Sequence, residues 1–260
     1  MKTFNFIGLA GCLLLTGMVA LADDSGPKVT LGTGVEVTSG TYGGDADIED
    51  LYVPLSATLD YGNVAFRVTV PYLSVRAPEG TAITGPGGEP IPGTGDIVTN
   101  SGLGDVIGSV TVYDVVRSKR LGVALDLTGS VKLGTADEAK GLGTGETDFT
   151  VQADLLKFLD QATLLASVGY RFRGDPAGVD LEDSLLASVG GTYKFSPQVR
   201  GGLIFDYRES SISDRDSIRE IYGFLSRRVN DEWKLQLFVL AGFTDSSPDW
   251  GAGIHVKRIM

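Results

Sequence analysis

Few side chains in this sequence could perform covalent chemistry. His255 is the single histidine and Cys12 the single cysteine. A serine- or aspartate-type hydrolase needs a histidine base beside its nucleophile or its attacking water. His255 lies in the last alternating segment of the chain, where an inward polar side chain is an ordinary feature. The sequence therefore favours a protein that is not an enzyme, although hydrolysis by carboxylates alone stays open.

No pattern predicts a cofactor or a metal centre. The glycine-rich run 141–145 is not followed by a helix whose N-terminus could hold a phosphate, and no Cys/His cluster has metal-ligand spacing. The formal net charge of −11 opposes contacts with nucleic-acid phosphates. We therefore expect no cofactor, no metal site and no nucleic-acid partner.

The remaining candidates are charged side chains that occupy one face of alternating apolar and polar segments. Charges persist inside an apolar wall only where they reach water or one another. We predict that they line the interior of the structure that these segments build. They are Glu36, Arg67, Asp105, Asp126, Lys132, Asp154, Arg171, Lys194, Asp206, Arg208 and Lys234.

Alternation with a period of two predicts about twelve β-strands. They begin near Val29, Leu51, Val64, Leu103, Leu121, Thr147, Ala162, Leu185, Val199, Ile218, Trp233 and Asp249. The phase of the segment near Ile218 and the register of the last strand stay open. A two-residue turn at Gly62-Asn63 pairs Tyr61 with Val64, and counting back places Pro54 opposite Pro71.

The connections alternate between short and long. The short ones are 62–63, 117–120, 160–161, 196–198 and 229–232, and the long ones are 43–50, 76–102, 134–146, 174–182, 209–217 and 245–248. This sidedness, with outward aromatic residues at both strand ends, is typical of outer-membrane barrels. We predict an all-β fold: a transmembrane antiparallel up-and-down β-barrel with short periplasmic turns and longer extracellular loops. A soluble β-sandwich is the alternative, but it does not predict the sidedness.

The first residues predict export. Residues 1–22 have the form of a signal peptide: Lys2 precedes an apolar stretch that ends in Ala20-Leu21-Ala22, so we expect cleavage after Ala22. A lipoprotein box at 9–12 is the alternative. Residues 23–260 would then form one barrel domain in the outer membrane of a Gram-negative bacterium.

Several motifs resemble those of the "MetA-pathway of phenol degradation" family of outer-membrane barrels. They are Ser101-Gly102-Leu103-Gly104-Asp105-Val106, the strand 66–72, the loop segments 132–135 and 143–149, and Ser247-Pro248-Asp249-Trp250-Gly251. Members of this family are regarded as transporters. The resemblance implies an uptake role, for aromatic or other small apolar compounds.

These observations predict an outer-membrane channel for passive or gated uptake of a small solute. A non-conducting structural barrel is the alternative, and an outer-membrane hydrolase is a weaker one. A barrel of twelve strands is intermediate in width between small barrels filled by side chains and large barrels with an open channel. The inward charges would therefore either line a water-filled lumen or form a plug of salt bridges. The long connections together are more negative than the rest of the chain. The expected partners are therefore membrane lipid and lipopolysaccharide, the latter through divalent cations that the acidic loops recruit.

Overall fold

Alternating apolar and polar residues produce β-strands along nearly the whole chain. The computed structural model describes residues 26–85 and 88–260, so the predicted signal peptide lies outside the described residues. The strands are Lys28–Gly40 (β1), Ile48–Tyr61 (β2), Val64–Pro78 (β3), Ile97–Leu103 (β4), Val106–Ser118 (β5), Val123–Leu133 (β6), Asp148–Phe158 (β7), Ala162–Phe172 (β8), Ser184–Lys194 (β9), Val199–Arg208 (β10), Ile218–Arg228 (β11), Trp233–Gly242 (β12) and Trp250–Ile259 (β13). No helix in the described part is long and apolar enough to cross a membrane.

The strands form one antiparallel sheet that closes on itself. Strands that follow one another in the chain pair with each other, except β4 and β5. The first strand, β1, pairs with the last, β13, from Thr30↔Ile259 to Ser39↔Trp250. Both β4 and β5 pair with β3, at its end and its beginning respectively, so they are two halves of one barrel position interrupted at Gly104-Asp105. The result is the predicted twelve-stranded barrel.

The two faces of the barrel differ as the alternation requires. Apolar side chains of every strand point outward and are exposed, whereas polar and charged side chains point inward and are mostly buried. Exposed aromatic residues lie at both ends of the strands, where amphipathic rings favour a membrane–water interface. They include Tyr61, Tyr193, Phe195 and Trp233 at one end and Tyr72, Tyr170, Phe172, Phe243 and Trp250 at the other.

The connections separate into two rims. The turn rim consists of the short connections 62–63, 119–122, 159–161, 195–198 and 229–232. The loop rim consists of 41–47, 79–96, 134–147, 173–183, 209–217 and 243–249. The predicted register is confirmed, since Tyr61 pairs with Val64 and Pro54 with Pro71, and the turn between them has a φ of 59° at Gly62.

The structure settles two points that the sequence left open and corrects a third. In β11, Ile218, Glu220 and Tyr222 point inward, and the last strand is fully paired on both sides. The strand predicted to begin at Leu121 begins instead at Val123. Gly122 has a φ of 61° and belongs to the turn, where its carbonyl accepts the Phe158 N–H.

Glycine makes room at the seam between the first and last strands. Gly34 on β1 lies opposite His255 on β13, and a Cβ at Gly34 would lie 1.9 Å from His255 Cδ2. Because Gly34 has no side chain, the buried His255 imidazole can lie against the backbone of β1.

Replacing Gly34 with alanine should lower the heat stability of the folded barrel, because the added Cβ has no space. Overpacking of this kind costs about 1–3 kcal/mol. Gly129 provides a matched control, since it faces outward on β6 and a Cβ there meets nothing within 4 Å. The midpoint of heat unfolding, followed by the mobility of unboiled samples on a gel, should fall for Gly34→Ala only. Equal midpoints for the two variants would contradict this account of the seam.

Candidate functional site

The predicted interior residues all face the inside of the barrel. Nine of the eleven are buried, and Arg171 and Lys194 are half-buried. They do not converge on one centre, because they are distributed along the barrel from one rim to the other. The structure groups them instead with loop residues and with an apolar layer.

An ion-pair network holds the loop rim together. Lys132 Nζ lies 2.9 Å from Asp105 Oδ2 and 3.7 Å from Asp148 Oδ2, and Arg173 Nη1 lies 3.2 Å from the same Asp148 oxygen. Asp105 Oδ1 also accepts the N–H groups of Thr135 and Ala136. Burial lowers the pKa of Arg173, and the neighbouring Asp148 carboxylate opposes that shift. Asp105, which lies between β4 and β5, thus holds loop 134–147 in place.

The described parts of loop 79–96, residues 79–85 and 88–96, cross the mouth of the barrel. Its ends belong to β3 and β4, and its far end reaches loop 209–217 between β10 and β11, on the opposite side in the strand order. An isolated bridge between Ala82 and Ile91 closes it into a hairpin-like unit. The Ile83 N–H donates to the Gly141 carbonyl, and Arg173 donates to the Thr84 carbonyl at 2.8 Å. The loop therefore rests on several neighbouring loops instead of projecting outward.

Glu89 fastens the far end of this loop. Its Oε1 accepts hydrogen bonds from Ser210 Oγ at 2.5 Å, the Ser211 N–H at 2.7 Å and the Ile212 N–H at 3.2 Å. Glu89 is 1% exposed. A buried carboxylate that receives several donors forms charge-assisted bonds, which are stronger than neutral ones. We call this contact the Glu89 latch.

Two apolar layers occupy the interior. One lies beneath loop 79–96 and the other near the middle of the barrel. The upper layer consists of Tyr42, Ile48, Tyr52, Leu73, Val75, Ala77, Ile83 and Leu142. The middle layer consists of Ala124, Leu156, Leu165, Ile204, Tyr222, Phe224, Phe238 and Leu240.

A cavity remains between the loop and the barrel wall. It is lined by loop residues such as Gly88 and Pro90 and by wall residues such as Arg208, Glu220 and Leu240. Its volume is about 50 Å³, enough for a few water molecules. This cavity is therefore too small to hold an aromatic ring.

His255 does not lie in a catalytic arrangement. Its Nε2 lies 2.6 Å from Glu36 Oε1, and its Nδ1 has no hydrogen-bond partner among the described residues. The imidazole is 2% exposed and packs against the Phe238 ring. Neither ring nitrogen bonds a serine or threonine within the described ranges. Across 26–85 and 88–260, no group of three or more His, Cys, Asp and Glu side chains could hold a metal ion.

Asp126 forms a hydrogen bond to a β-bulge in the barrel wall. The pairing of β5 with β6 shifts between Val112 and Val116, and Asp114 within this bulge has a φ of 52°. Asp126 Oδ1 accepts the Asp114 N–H at 2.8 Å, while its cross-strand neighbour is Asp154. The alternation predicted that Asp126 faces inward, but not that it bonds the backbone of a bulge.

Glu89 and Arg173 are the important interior residues that the sequence did not reveal. Both residues belong to loops, where an alternating pattern does not indicate which side chains point inward. Their hydrogen-bond partners lie 121 residues away for Glu89 and 89 residues away for Arg173. The only available signal was the unusual length of loop 79–96, which indicates a functional or self-packed segment.

Asp126→Leu should destabilise the barrel, because it leaves the partly buried Asp114 N–H without its acceptor, at a cost of up to about 1–3 kcal/mol. Asp126→Asn is the matched control: its amide oxygen still accepts the bond, and the repulsion with Asp154 is removed. We expect the heat-unfolding midpoint to fall for the leucine variant and to hold or rise for the asparagine variant. Equal losses would mean that the charge matters and the bond to the bulge does not.

Comparisons with known proteins concern the fold. No protein-family profile matches the sequence, and no curated protein is significantly similar to it. The crystal structure of the COG4313 outer membrane channel from Pseudomonas putida F1 aligns with a TM-score of 0.71 and 12% identity, covering 93% of this chain and 98% of that chain. The KdgM porin aligns with a TM-score of 0.52 and 10% identity, covering 88% and 98%. The likeness establishes that this chain has the fold of an outer-membrane β-barrel.

Proposed function

We propose that this chain is an outer-membrane channel for the passive uptake of a small solute, gated by loop 79–96. The observation that carries the proposal is the closed barrel with an apolar outer surface and an inner surface rich in polar and charged groups. A soluble protein gains nothing from exposing apolar side chains on every strand, whereas a bilayer solvates them. We further propose that residues 1–22 direct its export and are cleaved after Ala22.

The apolar outer surface supports placement in the outer membrane. Exposed aromatic residues at the two strand ends fit the two interfaces of a bilayer, with the turn rim in the periplasm and the loop rim outside. The acidic loop rim would meet lipopolysaccharide, whose phosphates it can approach through divalent cations.

The interior supports a gated channel. The ion-pair network, the upper apolar layer and the Glu89 latch hold loop 79–96 across the mouth, so passage requires the latch to open. A single carboxylate bridging two opposite loops is a contact that can break without unfolding the wall, because the strands keep all their ladder pairings.

The solute class follows from the resemblance and the middle apolar layer. The motif resemblance to the phenol-degradation family implies aromatic or other small apolar compounds. In the middle layer, the centroid of the Tyr222 ring lies 5.6 Å from that of Phe224 on β11 and 5.4 Å from that of Phe238 on β12. Such a surface offers an aromatic solute ring stacking and edge contacts.

A non-conducting structural barrel is the second candidate. The specific observation that favours it is that two apolar layers and several buried ion pairs occupy the interior, and that the cavity beneath loop 79–96 measures about 50 Å³. Conduction separates the two functions.

The purified barrel reconstituted in a planar bilayer should give channel openings that are small and infrequent, because loop 79–96 occludes the mouth most of the time. Folded protein is verified first by its heat-dependent gel mobility. A folded barrel that gives no openings, and that lets no small aromatic solute into vesicles, would support the structural alternative.

Glu89→Ala should raise the open probability, because it removes the acceptor for Ser210, Ser211 and Ile212. Glu79→Ala is the matched control, since Glu79 belongs to the same loop but has an exposed side chain. Single-channel recording of both variants at equal protein amounts measures the effect. Identical open probabilities for Glu89→Ala, Glu79→Ala and the parent chain would rule out the latch as the gate.

A further inference from the structure

A group of basic side chains, three buried and one half-buried, lies inside the barrel toward the turn rim. Arg67 on β3, Arg200 on β10, Lys234 on β12 and Lys257 on β13 all point inward; we call them the basic cluster. Lys234 and Lys257 are direct cross-strand partners on the same face. Like charges placed directly opposite each other destabilise a sheet. The arrangement therefore costs stability unless something compensates it.

The protein itself compensates this charge only in part. Lys257 is 7% exposed, and its Nζ has no hydrogen-bond partner among residues 26–85 and 88–260. Electrostatic interactions connect it with Arg67, Lys234 and Asp60. Asp60 also acts on Lys234, together with the cations Arg228 and Arg200. Asp60 is thus a carboxylate whose charge acts on both lysines of the cluster.

The cluster borders the middle apolar layer. Lys234 and Phe238 occupy the same face of β12 four residues apart, as Arg200 and Ile204 do on β10. Four residues of a strand span about 13 Å. Gly202 lies between the last two, and the Phe224 ring packs closely against it, since an added Cβ would lie 2.8 Å from that ring and 2.7 Å from the Gly191 carbonyl oxygen. A cationic region and an aromatic region are therefore adjacent along one wall of the lumen.

We infer that the basic cluster is a binding site for the anionic group of an amphipathic solute, whose apolar body lies against the middle apolar layer. The substrate class of the channel is then an organic carboxylate with an aromatic or aliphatic body. This inference rests on the proposed channel function and makes its substrate more specific. A carboxylate would supply the acceptor that Lys257 Nζ lacks and would reduce the repulsion between Lys257 and Lys234, which lie directly opposite each other.

Matched probes test the inference. Benzoate and benzamide have the same ring and similar shape, but only benzoate is charged. Calorimetry on the folded barrel in detergent should show benzoate binding and much weaker benzamide binding. Lys257→Met should weaken benzoate binding by about tenfold, the loss expected for a charge-assisted hydrogen bond. Lys257→Arg should restore most of it.

Two controls keep the result specific. Lys119→Met removes a cation from an exposed turn at the same rim and should leave benzoate binding unchanged. Lys257→Met should also raise the heat-unfolding midpoint of the empty barrel, since it relieves the repulsion with Lys234. If that variant does not fold, Lys234→Gln tests the same site through the partner lysine.

The outcomes separate the inference from the channel proposal. Equal binding of benzoate and benzamide, or unchanged benzoate binding in both lysine variants, would overturn the inference. Flux of both probes into vesicles with no preference for benzoate would do the same while leaving the channel function intact. Benzoate binding that depends on Lys257, without flux of any solute, would support the site and contradict the channel.

Discussion

Hydrogen bonding between the first and last strands is the constraint on which the rest of this molecule depends. A sheet in hydrocarbon must pair every backbone N–H and C=O, since no water is present to replace a missing partner. The ladder from Thr30↔Ile259 to Ser39↔Trp250 removes the two edges that would otherwise stay unpaired. Once the sheet is closed, each residue has either an outward or an inward side, so alternation in the sequence becomes a division between lipid and lumen.

Closure creates a second problem, which is how to fill the interior. Eight strands can be filled by side chains from the wall, whereas twelve enclose more space. Here the wall supplies a middle apolar layer, and loop 79–96 folds across the mouth to cover the rest. Because the loop begins on one side of the barrel and is fastened by Glu89 on the opposite side, it spans the opening instead of narrowing one edge of it.

Charge is arranged unevenly along the barrel axis. Toward the loop rim, cations and carboxylates form matched pairs, such as Lys132 with Asp105 and Arg208 with Glu220. Toward the turn rim, Lys234 and Lys257 lie directly opposite each other, and Lys257 Nζ has no hydrogen-bond partner among the described residues. The pairs at the loop rim hold the loops in place, whereas like charges directly opposite each other on adjacent strands repel. The two ends of the lumen therefore differ in charge, with ion pairs toward the loop rim and a pair of like charges toward the turn rim.

The sequence alone determined the elements of the wall and their connectivity. A period of two, kept over about ten residues and repeated twelve times, is compatible with few folds, and the turn at Gly62-Asn63 was enough to predict that Pro54 lies opposite Pro71. Inward positions of charged residues followed from the same alternation. What the sequence could not determine was how the interior is filled. The Glu89 latch, the network around Asp105 and the face-to-face pairing of Lys234 with Lys257 join residues far apart in the chain. Such contacts arise from closure and register, which only the tertiary structure decides, because no local pattern records which strands and loops will meet across the lumen.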